Sequence, residues 1–344
     1  MTVENFPDRT ITIKNQEYRY FGGTSYLGIA TNTDFHKILF QNIKKWGTFY
    51  GSSRNSNIKL AVYNTFEAVF AKQLGAEASL AVSSGTLAGR LVIDYLSKSI
   101  TSFYHYPKTH PSVLAPNSLP LFDNDTLHSS LLNNTTEEIV ITVDAVLALE
   151  ITPTSFAFLT EISASKKITL VIDESHSLGI VGKHGEGIFN TISTKNLHQK
   201  IAVSSLGKAL GLSGGIIAGN AQFIDLIKEE SIFISASGAN PAYLETYLQT
   251  QSIYTKQRGK LQHNLAFLYP KIRINKQLRF SQNYPVIYSN EPEIYTTLLA
   301  QHIVVTNFNY PTYKDTMHRI VITANHTEND LKALSLALSK KEKF

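Results

Sequence analysis

Ile201-Ala202-Val203-Ser204-Ser205-Leu206-Gly207-Lys208-Ala209-Leu210-Gly211 is a short apolar run closed by a lysine between glycines. The run reads as a strand of a covered sheet. Lys208 falls just past its end, an odd place for a solvated charge. Burial disfavours an ammonium ion and lowers a lysine pKa. A lysine made neutral in this way can attack a carbonyl and hold it as a Schiff base. Upstream, Val171-Ile172-Asp173-Glu174-Ser175-His176 ends a second apolar run in a carboxylate. An aspartate paired with a Schiff-base lysine is how proteins hold pyridoxal 5′-phosphate (PLP). The lysine takes the aldehyde and the aspartate takes the pyridinium nitrogen.

Outward from these two runs the chain alternates helix and strand. Ala61 to Leu74 is an amphipathic helix with Val62, Phe66, Phe70 and Leu74 on one face, ended by Gly75. Leu80–Val82, Ser102–His105, Ile139–Val143, Ile168–Ile172 and Ile216–Ala218 read as further strands, and Thr86 to Leu96 as a helix. Near-continuous β-branched runs mark a sheet covered on both faces. The pattern predicts an α/β fold with a mostly parallel sheet. Ile11–Ile13 and Tyr18–Phe21 read as a hairpin across Asn15-Gln16. Pro241 to about Ala266 reads as one long helix leading into a small α+β unit. In that unit Pro285–Tyr288 and Ile320–Ile322 are strands, and Glu293–Ala300 and Glu328–Leu338 are helices. Thr327 caps the last helix with Asp330 three residues on. The expected division is 1–45, an N-terminal arm packing with the small domain; 46–235, the large cofactor-binding domain; and 236–344, the small domain.

Of the 344 residues, 43% are hydrophobic and 17% charged, an ordinary enzyme composition with ample core. The absence of cysteine excludes disulfides, thiolate nucleophiles and Cys-ligated metals; no metal site is expected. The first fifteen residues lack the apolar core of a signal peptide, and no run is apolar enough to span a bilayer. A cytoplasmic protein without membrane contact is expected. The net charge of +5 is dispersed, apart from Lys340-Lys341-Glu342-Lys343, which reads as a solvated helix end. Nucleic-acid binding is not expected.

Four segments bear on chemistry. Ser83-Ser84-Gly85-Thr86-Leu87-Ala88 lies between a strand and a helix. Its amides and the helix N-terminus suit a phosphate, although alone it is better read as an ordinary capped turn. In Thr109-His110-Pro111-Ser112, His110 can stack on a flat ring or sit in a surface loop; His105, inside a strand pattern, reads as structural. Asp173 and His176 converge if the chain turns after the strand. Otherwise Asp173 is an N-cap and His176 exposed. Lys208 is the fourth, with Ser205 near enough to offer its hydroxyl to the phosphate.

Together these motifs resemble the α-oxoamine synthases, a family of fold-type I PLP-dependent enzymes. Asp173-Glu174-Ser175-His176-Ser177 with Gly179, Gly182 and His184-Gly185-Glu186-Gly187 is similar to the family's "DEAHS-G-G-HG-G". Ser205 to Gly211 resembles its lysine motif, Ser25-Tyr26-Leu27-Gly28-Ile29-Ala30 its "NYLGLA", Gly51-Ser52-Ser53-Arg54 its "GSR", and His110-Pro111-Ser112 its "HAS". Phe122-Asp123-Asn124-Asp125 falls at its "HND", and His318 to Thr327 resembles "LRI-xSAAHT". The order is collinear from about residue 20 to the end.

The resemblance implies fold type I: a large domain with a seven-stranded, mostly parallel sheet covered by helices, plus a smaller α+β C-terminal domain. It implies that Lys208 is the Schiff-base lysine and the acid/base at the substrate α-carbon. Asp173 pairs with the pyridinium, His110 stacks on the ring, and His176 contacts the ring oxygen or the acyl carbonyl. Gly85, Thr86, Leu87 and Ser205 hold the phosphate. Ser235 or Ser237, the latter preferred, reaches it from the partner subunit of a homodimer. Arg319 takes the amino-acid carboxylate, with Tyr26 beside the substrate; alternatively Arg319 is a strand-edge surface arginine.

The implied activity is a PLP-dependent C-acyltransferase that condenses alanine or glycine with an acyl-CoA or acyl-carrier thioester. The expectation is closest to 8-amino-7-oxononanoate synthase, in biotin biosynthesis. Glycine C-acetyltransferase, an aminotransferase, or a non-catalytic PLP-fold binding protein are the alternatives. Three departures bear on this. The helical arm that usually precedes the first strands reads as missing. Val146 to Pro153 replaces "VFSMDGD-AP", placing Ala148 where a serine commonly touches the cofactor oxygen. Tyr63 stands where a histidine is usual, and Asn307-Phe308-Asn309-Tyr310-Pro311 lacks the "RPP" arginine and is closer to "FYP".

Overall fold

In the computed structural model, residues 1–275, 277–308 and 317–339 are described. The Asn309-to-Pro311 part of the "FYP"-like segment and the 340–343 tail lie outside them. Two sheets dominate. The larger has seven strands in the order Ala78–Val82, Gly215–Gly219, Gln199–Ser205, Lys166–Asp173, Glu137–Asp144, Ser102–His105 and Leu119–Pro120. Gly215–Gly219 runs antiparallel to both neighbours and the other pairings are parallel. Its inner strands are buried on both faces: Ile139, Val140, Ile141, Leu170, Val171, Ile172 and Ile201 are inaccessible to solvent. That burial is why their sequences run apolar without alternation. The C-terminal edge of this sheet gathers the ends of five strands. They carry Gly85, Lys208, Asp173, Asp144 and the segment leading to His110.

The second sheet has six strands in the order Thr10–Ile13, Gln16–Phe21, Ile303–Phe308, Met317–Val321, Tyr284–Ser289 and Leu278–Ser281. The first two strands of the chain are therefore paired with strands of its C-terminal third. Their hairpin turns on Lys14 and Asn15, with φ of 51° and 62°, one residue earlier than the expected Asn15-Gln16 turn. Positive φ at both central residues is the twist-matched geometry for a two-residue hairpin.

Four further elements differ from the sequence reading. Thr33–Trp46 is a helix, capped by the Asn32 side chain accepting from the Phe35 amide at 3.0 Å. Leu278–Ser281 and Ile303–Phe308 are strands. The expected long helix from Pro241 is two helices, Pro241–Gln249 and Gln251–Leu268, broken at Thr250. The Thr250 hydroxyl donates to the Thr246 carbonyl at 2.7 Å, a back-bond that bends helices. The second helix anchors the lysine loop: Tyr254 donates to the Leu210 carbonyl at 2.7 Å.

Candidate active site

Lys208 lies in a loop tied to its own base. Leu206 donates to the Gly214 carbonyl at 3.0 Å and Leu212 to the Leu206 carbonyl at 2.9 Å. Gly211, at φ 65°, lets the loop close against Ile29, where a Cβ would meet the Ile29 Cβ at 2.9 Å. The loop delivers the Lys208 amine to 2.8 Å from His176 Nε2. Burial draws the Lys208 pKa down to about 8, against the opposing pull of Asp173 and Asp144.

His176 is held at three points. Its Nε2 faces Lys208, its Nδ1 lies 3.0 Å from the Tyr26 hydroxyl, and its carbonyl accepts from the Tyr284 hydroxyl at 3.1 Å. Burial, with Lys208 and Arg319 nearby, holds the imidazole well below its ordinary pKa, so the ring is neutral and carries one N–H. If the Lys208 amine donates to Nε2, that hydrogen sits on Nδ1 and donates to Tyr26. The Tyr26 hydroxyl, expected to face substrate, is thus engaged with His176 and the Tyr284 side chain.

Asp173 ends its strand opposite Val203 on one side and Asp144 on the other. Its Oδ1 accepts from the Ser175 amide at 2.9 Å, turning the chain so that His176 points back over the sheet edge. The alternatives of Asp173 as a cap and His176 as a converging group are therefore not exclusive. Asp144, beside it, is buried and accepts from the His110 amide at 3.1 Å. Burial first, then the Asp173 charge, pushes the Asp144 pKa well above its ordinary value. His110 Nδ1 accepts from the Ser112 amide at 3.2 Å. Burial lowers its pKa, although Asp173 opposes.

Gly85 opens the Gly85–Leu96 helix. A Cβ there would sit 2.7 Å from Ser205 Cα, so only glycine lets the two loops meet. Ser84 caps the helix by accepting from the Leu87 amide at 3.1 Å. The Leu87 amide, expected to hold a phosphate, is thereby taken; the amides of Gly85 and Thr86 stay at the open end. Ser205 Oγ accepts from the Gly207 amide at 3.2 Å. Ser237 is exposed and pairs with Ser53 in an antiparallel bridge.

Arg319 is buried in an interior strand opposite Tyr288, which removes the surface-arginine alternative. One guanidinium nitrogen donates to the Gly23 carbonyl at 3.1 Å, while Nε finds no partner among the described residues. Burial works to lower its pKa, but Tyr26, Tyr288 and Tyr284 around it outweigh burial and raise it. Tyr288 also donates to the Ala148 carbonyl, so the loop carrying Ala148 is held through its backbone.

The site thus gathers Lys208, His176, Asp173, His110, Tyr26 and Arg319, with Gly85, Thr86 and Ser205 at one end. Sequence reasoning missed Asp144, Tyr284 and Tyr288. Asp144 carries the same signal as Asp173, an acid ending an apolar run. Tyr284 and Tyr288 share a strand face by their spacing alone, which says nothing of chemistry. The arrangement suits PLP: an amine whose pKa burial draws down, a carboxylate beside it, a glycine-lined approach at a helix N-terminus, and a buried cation with an unpartnered nitrogen.

The family model described as aminotransferase class I and II matches residues 151–338. An 8-amino-7-oxononanoate synthase of Petrotoga mobilis is 25% identical over 368 residues, covering 100% of this chain and 92% of that protein. The solved 8-amino-7-oxononanoate synthase of Francisella tularensis shares the fold at TM-score 0.70 and 24% identity, covering 94% of this chain and 97% of that one. Serine palmitoyltransferase from S. paucimobilis, solved with a PLP–myriocin adduct, does so at TM-score 0.78 and 15% identity, covering 98% and 90%.

Proposed function

The chain belongs to the aminotransferase class I and II family and, within it, to the α-oxoamine synthases, and on that premise we propose that it condenses a small amino acid with an acyl thioester. It is a PLP-dependent transferase. The observation that carries the proposal is the contact between Lys208 and a neutral, three-point-held His176, with Arg319 buried nearby. PLP bound here supplies an electron sink for the substrate α-carbon. Lys208 would hold the cofactor aldehyde, and its Nζ would carry the substrate α-proton. Asp173 would pair with the ring nitrogen and His110 would lie against the ring. The open amides of Gly85 and Thr86, with Ser205, would hold the phosphate. Arg319 binds the α-carboxylate through a charge-assisted pair. His176 steadies Lys208 and presents its ring to the incoming acyl carbonyl.

Three tyrosine rings crowd Arg319, which favours alanine or glycine over a larger amino acid. We read the activity as closest to 8-amino-7-oxononanoate synthase, the name carried by two of the three relatives above, with alanine and a pimeloyl thioester. The active unit in this reading is a cytoplasmic homodimer with Ser237 reaching the partner's site. Exposed Phe49, Ile58, Ile232 and Ile234 lie on the two segments joined by the Ser53–Ser237 bridge, apolar surface suited to such a contact. The division into 1–45, 46–235 and 236–344 is retained as part of this proposal. Among the described residues no helix is long and apolar enough to cross a membrane.

The test is a screen of amino acids against acyl thioesters that follows free thiol release. Thiol release that requires both alanine or glycine and a thioester is expected. Amino transfer to a keto acid with no thioester requirement would overturn the reading in favour of an aminotransferase.

A further inference from the structure

A cavity of about 620 Å³ lies beside the site but is not lined by its catalytic groups. Its walls come from the loop at Ile151–Pro153, the loop at Ile180–Gly182, the Gln251–Leu268 helix and the turn before Tyr284. Both loops follow strands of the larger sheet, whereas the turn belongs to the second sheet, so the cavity sits where the two halves of the molecule meet. Such junctions are favoured places for ligands, and the volume falls in the usual range. Ile151, Ile180, Val181, Leu261 and Leu265 give it an apolar side. Arg258 stands on the same helix, partly buried. It donates to the Thr255 hydroxyl at 3.2 Å and makes no ion pair among the described residues. A partly desolvated guanidinium beside an aliphatic wall is matched by one chemistry: an alkyl chain bearing an anionic head.

Two of the walls touch the segment that carries His176. Ile180 and Val181 both donate to the Ser177 carbonyl, at 3.0 and 2.8 Å. Tyr284 lines the cavity and donates to the His176 carbonyl at 3.1 Å. His176 in turn contacts the Lys208 amine. Anything that fills the cavity presses on the groups that place His176.

We propose that this cavity is a binding site for an aliphatic anion, its chain over Ile151, Ile180 and Leu261 and its head on Arg258, and that Tyr284 transmits its occupancy to His176 and Lys208. The site goes beyond the acyl-transfer reading, because binding here needs no reaction. The same chemistry is offered by a free fatty carboxylate and by an acyl-CoA, whose phosphates supply the anion.

Titration calorimetry of the PLP-loaded enzyme with octanoate tests it, with cofactor absorbance followed in parallel. One saturable site per chain and a change in cofactor absorbance are expected. Arg258→Gln weakens octanoate binding about tenfold or more, the size of a charge-assisted hydrogen bond, with cofactor content unchanged. Arg258→Lys restores part of the affinity. Tyr284→Phe keeps octanoate binding but loses the absorbance change. Octanoyl-CoA that displaces octanoate identifies a thioester as the occupant. Octanoyl-CoA that leaves octanoate in place identifies a free carboxylate. No saturation by octanoate, or Arg258→Gln binding like wild type, overturns the site. An unchanged response in Tyr284→Phe overturns the coupling.

Discussion

The Lys208 amine sits 2.8 Å from a neutral imidazole, with its pKa drawn down to about 8 by burial. Attack on the PLP aldehyde needs the neutral amine, so the cofactor-free protein should take up PLP faster as pH rises. The rate should level off near pH 8 rather than near 10.5, the ordinary lysine value. Stopped-flow absorbance across pH 6 to 10 measures this, and a rate still climbing steeply above pH 9 would contradict it. Tyr26 makes a second prediction at this scale. Tyr26→Phe removes the hydroxyl from His176 Nδ1 and leaves a buried ring nitrogen without its partner. The loss of stability should be about 1–3 kcal/mol, visible as a lower melting temperature, and turnover should fall with it while PLP still binds. Loss of activity with no change in stability would mean that Tyr26 serves the substrate directly. Lys208 and Asp173 were legible because an ion at the end of a buried strand has few structural reasons to be there. Tyr284 was not, because a tyrosine in a strand is ordinary packing until its hydroxyl is seen on His176.

Among the elements, the closing helix is the one whose sequence signal and geometry agree most closely. The Thr327 hydroxyl accepts from the Asp330 amide at 3.3 Å, and the Asp330 carboxylate accepts from the Thr327 amide at 2.9 Å. Asp330 also pairs with Arg9 at 3.1 Å and Arg19 at 3.3 Å, so the cap ties the N-terminal hairpin to the helix. Thr327→Ala should lower stability by about 1 kcal/mol, the usual value of such a cap, read as a lower urea midpoint with unchanged slope. A change of slope would point instead to loosening of the hairpin. The Thr33–Trp46 helix went unread although its signal is present: Phe35, Ile38, Leu39, Ile43 and Trp46 recur at helical spacing. Only Phe35 and Asn42 of it are buried and Phe40 is exposed, and the stripe is interrupted by Asn42, which donates to Thr246 of the Pro241–Gln249 helix at 2.9 Å. The break at Thr250 was silent, since no proline or glycine marks it. The covered strands were legible because burial on both faces writes itself as unbroken β-branched sequence.

At the scale of the whole molecule, His326 joins the first strands to the last third of the chain. Its Nδ1 accepts from the Thr323 amide and its Nε2–H donates to the Tyr20 carbonyl, each at 2.9 Å. The ring stacks on Phe21 at 4.1 Å between centroids. This geometry fixes the neutral tautomer, and a proton on Nδ1 would break the Thr323 bond. Burial, although opposed by the Tyr20 bond and by Asp330, draws the pKa from 6.5 down to about 4. The folded ring therefore refuses a proton that the unfolded chain accepts. Stability from this residue is complete above about pH 6.5 and is lost as pH falls toward 4. The slope approaches about 1.4 kcal/mol per pH unit, and the total is about 3 kcal/mol. His176, also held well below its ordinary pKa, adds a loss of the same sign. The Asp330 carboxylate, held below its ordinary 3.8, is a depressed acid whose contribution fails only at lower pH. In denaturation free energies measured from pH 7 to pH 5 the wild type should accordingly lose this histidine contribution, against the opposite pull of buried Glu174 and Asp144, whose raised pKa values add stability as pH falls. His326→Gln can keep both hydrogen bonds, with the amide oxygen facing Thr323 and the amide nitrogen facing Tyr20, but does not titrate. It should show a shallower pH dependence by about one proton at the acid end of that window. Parallel curves for the two proteins would show that His326 is not held neutral by the fold.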